Sequence, residues 1–116
     1  MINMATPEPP PTPGGKIIYK ELLQLLQQAL AKDPFEKIMH DHIMDRVKFG
    51  FEKYGVYLES NNGRDASIDA IQECIDLCMY VGQMVAEEEG DKWEIQLLWL
   101  KTLYLLADLE HYKSKH

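Results

Sequence analysis

Apolar residues recur at helical spacing in four separate stretches of this chain. Ile18, Leu22, Leu25, Leu26 and Ala29 mark an amphipathic helix over residues 16 to about 32. Asp33-Pro34-Phe35-Glu36 then reads as a fresh start, with Asp33 as N-cap, Pro34 at the first helical position and Glu36 closing a capping box. A second helix is expected from there to about residue 54. Gly50 inside it costs roughly 1 kcal/mol relative to alanine and predicts a kink or a close backbone approach, and Gly55 is the expected stop. After a loop over 56–64, Asp65 is placed to cap a third helix whose buried stripe is Ala70, Ile71, Cys74, Ile75, Cys78, Val81 and Val85, ending near residues 89–90. Asp91 to Glu94 repeats the capping-box chemistry and opens a fourth helix to about residue 113. That helix carries Trp93, Ile95, Leu97, Leu98, Trp99, Leu100, Leu103, Tyr104, Leu105 and Leu106, apolar around much of its circumference. A helix apolar on several sides is buried on several sides, which in so short a chain predicts a second subunit.

Ahead of these stretches the pattern stops. Pro7, Pro9, Pro10, Pro11, Pro13, Gly14 and Gly15 give residues 1–15 the composition of a disordered or polyproline-like tail, leaving one domain over 16–116. Its 116 residues are 46% hydrophobic, enough for a packed all-α unit and small enough that self-association is expected. The net charge of −7 argues against phosphate-backbone binding, so no nucleic-acid partner is expected. No apolar run is long enough to span a bilayer, and no membrane partner is expected either. Cys74 and Cys78, at i and i+4 on the apolar side of the third helix, read as small buried hydrophobes in a reducing cytoplasm.

The chemistry concentrates around Asn61-Asn62-Gly63-Arg64-Asp65-Ala66. Asn-Gly signals a turn, and beyond Asp65 the acids Asp69, Glu73 and Asp76 align on one helical face. Like charges stacked this way repel by roughly 0.2 to 0.5 kcal/mol per pair, so cations or a bound metal should offset them. Hard magnesium or manganese ions take oxygen ligands and are the natural candidates. The second helix offers Asp41, Asp45, Lys48 and Glu52 on one face by the same arithmetic, making Glu73, Asp76, Asp45, Glu52 and Asp69 the candidate metal set. An ordinary solvated acidic face is the alternative. Arg46, Lys48, Lys53 and Arg64 flank these acids. They are either surface ion pairs of little worth or, for Arg64, Lys53 and Lys48, groups that hold phosphate oxygens. Tyr54, Tyr57, Asn61 and Asn62 read as loop packing and turn chemistry, or, for Asn61, Asn62 and Tyr54, as groups that stack on a base and read its edge. His40 and His42 stay outside the metal set.

Lys53-Tyr54-Gly55, Leu58, Asn62-Gly63-Arg64-Asp65-Ala66, Asp69-Ala70, Gln72-Glu73 and Asp76 together resemble the phage-type MazG-like members of the all-α nucleoside triphosphate pyrophosphohydrolases. The similarity covers roughly residues 45–89. It implies a four-helix bundle assembled as a homodimer or homotetramer, which hydrolyses a nucleoside triphosphate to monophosphate and pyrophosphate with Mg2+ or Mn2+. Some phage relatives, the MazZ-type enzymes among them, favour guanine deoxynucleotides, which makes dGTP or GTP the expected substrate and a host cytoplasm the expected setting. The family's E-x-x-D step matches Glu73 to Asp76. Its preceding E-x-x-E does not match: His42-Ile43-Met44-Asp45 stands there, only Asp45 corresponds, and Glu52 is the substitute oxygen. Glu73 or Glu52 is the candidate to accept the proton of the attacking water, and the sequence does not choose between them. The rival expectation is a non-catalytic helical interaction module with a solvated acidic face.

Overall fold

A computed structural model describes Pro10 and residues 14–116; most of the proline-rich tail expected over 1–15 therefore lies outside the described residues. Among the described residues the fold is all-helical: α1 (Ile18–Leu30), α2 (Glu36–Tyr54), α3 (Ala66–Glu87) and α4 (Trp93–Lys115), with no strand beyond one isolated antiparallel bridge between Ile17 and Glu59. The chain divides into two compact units. One ends at Arg64 and pairs α1 with α2; the other, Asp65–His116, pairs α3 with α4.

In the first unit, Leu26 of α1 is the buried apolar anchor. Gly55 ends α2 as expected: its φ of 74° is the left-handed conformation that glycine adopts without strain, and its N–H donates to Phe51 O at 2.7 Å. The chain then returns to the start of α1. Ile18 N–H donates to Leu58 O at 2.9 Å and Ser60 N–H to Lys16 O at 2.8 Å, while Gly14 N–H reaches the Glu59 carboxylate at 2.6 Å. A Cβ on Gly15 would stand 2.7 Å from Ser60 O, so a side chain there would force the two segments apart. Tyr57 joins the same clasp, its ring centroid 5.3 Å from Tyr19 and 4.6 Å from Phe51.

The second unit is built on small residues of α3. Ile71, Cys74 and Val85 are buried along the seam with α4, together with Thr102. Gly82 lacks the Cβ that would stand 2.9 Å from the Trp99 ring, and that gap lets the indole N–H donate to Cys78 O at 2.9 Å. The Cys74 thiol approaches Thr102 O at 3.6 Å, and burial pushes its pKa up, which keeps it a neutral thiol.

Two helix starts differ from the expected capping boxes. Neither Asp33 nor Asp91 caps a helix: α2 begins at Glu36 and α4 at Trp93, after the N-caps Phe35 and Lys92, which make no side-chain cap. Each aspartate instead accepts from the N–H two residues on, Asp33 from Phe35 at 2.8 Å and Asp91 from Trp93 at 3.2 Å. The short side chain closes a local turn just ahead of the helix, a competing hydrogen bond open to Asp in either setting. Gly50 sits within a continuous α2 with nothing within 4 Å of the Cβ it lacks, so the expected close backbone approach is absent there.

Candidate functional site

The turn that leads into α3 is held by backbone and side chain together. Asn61 adopts φ of 55° and Gly63 φ of 85°, both left-handed, and between them Asn62 is buried. Asn62 Oδ1 accepts the Arg64 N–H at 3.1 Å, an Asx turn that aims the chain toward the next residue. Asp65 caps α3 as its sequence position predicts. Its carboxylate accepts from Ser67 N–H at 3.0 Å, Ile68 N–H at 3.4 Å and the Ser67 hydroxyl at 2.5 Å. The ammonium of Lys113, near the far end of α4, donates to the other oxygen, which no local pattern announces. The Lys113 ammonium first, and then the Ser67 hydroxyl, hold the Asp65 pKa well below the usual carboxylate range.

The packing of α4 decides where the acid row of α3 points. Cys74, Cys78, Gly82 and Val85 face α4, and Asp69, Glu73 and Asp76 lie about half a helical turn away from that side. Glu73 and Asp76 are exposed and Asp69 half-buried. Among the described residues the side chains of Glu73 and Asp76 make no ion pair or hydrogen bond. Their four oxygens are hard donors held one turn apart, which suits a hard divalent cation in donor type and spacing. A third ligand is not gathered beside them: among the described residues no three His, Cys, Asp or Glu side chains cluster closely enough to hold a metal.

The other candidates lie in the first unit. Asp45, Lys48 and Glu52 are exposed along one face of α2. Asp41, on the same face, is already paired with Lys37 at 3.1 Å and His40 at 3.3 Å, and the hydrogen bond from Lys37, followed by that from His40, lowers its pKa. Lys53 stands 5.2 Å from the centroid of the exposed Tyr54 ring, and Arg46 lies over Phe49 at 4.7 Å. A largely apolar groove of about 340 Å3 lined by Val81, Met84, Ile95, Leu98, Thr102 and Leu105, with Lys101 at its edge, runs between α3 and α4; it holds no carboxylate and is separate from the acid row.

No protein-family model, curated protein or solved structure matches the chain. Among the described residues, no helix is long and apolar enough to cross a membrane.

Proposed function

We propose that this protein is a MazG-like nucleoside triphosphate pyrophosphohydrolase that converts a deoxynucleoside or nucleoside triphosphate, dGTP or GTP first, to its monophosphate and pyrophosphate. One observation carries the reading: Glu73 and Asp76 stand exposed and unpaired, one turn apart, on the face of α3 turned away from α4, directly beyond an ordered and capped turn. Exposed acids without partners repel, and a divalent cation relieves that repulsion.

Glu73 and Asp76, with Asp69 on the same helix and Asp45 and Glu52 on α2, are the residues assigned to hold Mg2+ or Mn2+. When bound, such an ion lowers the pKa of water and offsets the charge that develops on a pyrophosphate leaving group. Glu73 or Glu52 accepts the proton of the water that attacks the α-phosphorus. Arg64 offers phosphate oxygens a bidentate fork, and Lys53 and Lys48 offer point charges. Tyr54 and Asn61, both exposed, are assigned to the base, while Asn62, whose amide oxygen already serves the turn, shapes the loop that presents them. The same reading includes self-assembly as a homodimer or homotetramer.

A non-catalytic helical module is the competing reading, in which the exposed Glu73 and Asp76 form a solvated acidic face. Incubation with each nucleoside and deoxynucleoside triphosphate and manganese, followed by chromatography, separates the two. Monophosphate and pyrophosphate in equal amounts are expected, and no product from any triphosphate would return the acids to a solvated face. Glu73→Gln and Asp76→Asn are each expected to abolish turnover while the helical circular dichroism signal is kept, since each removes a coordinating charge without changing shape.

A further inference from the structure

α4 has two apolar sides. Ile95, Trp99, Thr102, Leu106 and Leu109 fall on the side that meets α3. Trp93, Leu97, Leu100 and Tyr104, at i, i+4, i+7 and i+11, fall on the opposite side by the same helical arithmetic. There they are exposed, Trp93 by 59% and Tyr104 by 63%. Singly such residues need no explanation, but a continuous stripe on the far side of a helix already packed on its near side marks an interface.

The charges along one edge of that stripe say what covers it. Glu94, Lys101, Asp108 and Lys115 recur every seven residues, alternate in sign, are all exposed, and make no ion pair among the described residues. Reversed, the row complements itself. If a second α4 runs antiparallel with its Tyr104 beside the first, Glu94 falls opposite Lys115 of the second copy and Lys101 opposite its Asp108, each pairing occurring twice about the twofold axis. Shifting the two helices by seven residues in either direction sets lysine against lysine and acid against acid, and a parallel twofold pair puts the two rows on opposite edges of the seam, where they do not meet. The row thus selects one partner, one direction and one register.

We propose that the face of α4 carrying Trp93, Leu97, Leu100 and Tyr104 pairs with the same face of a second copy of this chain, antiparallel, with Lys101 and Asp108 as reciprocal ion pairs across the twofold. This pairing does not depend on the catalytic reading. It calls for sedimentation or light scattering across a micromolar concentration series at low salt, with circular dichroism to show that each variant stays helical. The wild-type chain is expected to run as a dimer or a higher even assembly. Lys101→Glu and Asp108→Lys each turn two attractions into two repulsions, so each is expected to raise the dimer dissociation constant by about tenfold or more. The double variant, with the signs exchanged, should restore dimerisation. An equimolar mixture of the two single variants should form heterodimers, because the carboxylate introduced by Lys101→Glu in one chain then meets the ammonium introduced by Asp108→Lys in the other. A wild-type monomer, single variants that dimerise like wild type, or weakened singles that neither the double variant nor the mixture rescues would each overturn the proposal. Leu100→Lys gives a second check on the stripe itself: a helical protein that remains dimeric would also overturn it.

Discussion

Asp65 does two jobs with one carboxylate, capping α3 with one oxygen and receiving the Lys113 ammonium on the other. Because these contacts favour the charged form, the folded-state pKa lies below the ordinary value of 3.8. The stabilisation is therefore fully present above that value and is lost as pH falls below it toward the depressed folded pKa. Asp65→Asn separates the two roles, since asparagine caps about as well as aspartate but cannot attract an ammonium. The expected outcome is a lower urea midpoint than wild type at pH 7, and a smaller further drop than wild type on acidification from pH 4 to pH 2. A wild-type acid profile in the variant would show that the Lys113 contact contributes nothing to stability. The residue also sets the start of the helix that bears Glu73 and Asp76, the pair to which the proposed function assigns the metal.

At the scale of elements, two helix-interior glycines have opposite consequences. Gly50 of α2 has open space where a Cβ would be, so Gly50→Ala brings only the gain in helix propensity, about 0.5 to 1 kcal/mol, and should raise the thermal midpoint. Gly82 of α3 is held against Trp99, with indole atoms 2.9, 3.1 and 3.2 Å from where a Cβ would stand. There the same gain is outweighed, because the indole must shift and its hydrogen bond to Cys78 O is put at risk, a packing cost of about 1 to 3 kcal/mol. Gly82→Ala should lower the thermal midpoint. If both substitutions stabilised the protein, the close approach of α4 to α3 at Trp99 would be wrong.

For the whole molecule, the exposed apolar side chains outnumber the buried ones among the described residues. Leu26, Ile71, Cys74 and Val85 are the buried apolar set, while nine leucines and aromatics of α4 are 39–63% exposed, Trp99 least and Tyr104 most, and Leu106 and Leu109 are half-buried. A chain that completes its core by pairing is stabilised by mass action, so its melting temperature should rise with protein concentration. The Lys101→Glu variant should lose most of that dependence. A wild-type melting temperature that stays constant from micromolar to hundred-micromolar protein would place the missing apolar contacts inside one chain.

Periodicity and local chemistry were enough to determine four helices, the Gly55 stop and the Asp65 cap, because each depends on residues within a few positions of one another. The candidate site was legible to the same extent: spacing alone puts Asp69, Glu73 and Asp76 on one face. At Asp33 and Asp91 the same local rules named the right residue and the wrong role, since an Asx turn and an N-cap use the same side-chain oxygen. Tertiary structure alone decided that Gly14 and Lys16 clasp Glu59 and Ser60, that Lys113 reaches Asp65, and that α4 lies on the Cys74, Cys78 and Gly82 side of α3. These contacts join positions 21 to 48 residues apart, and no periodicity within a helix carries information across such distances. The outward direction of the acid row follows from the last of them: spacing aligns the carboxylates with one another, but only the helix packed on the other side determines which way they face.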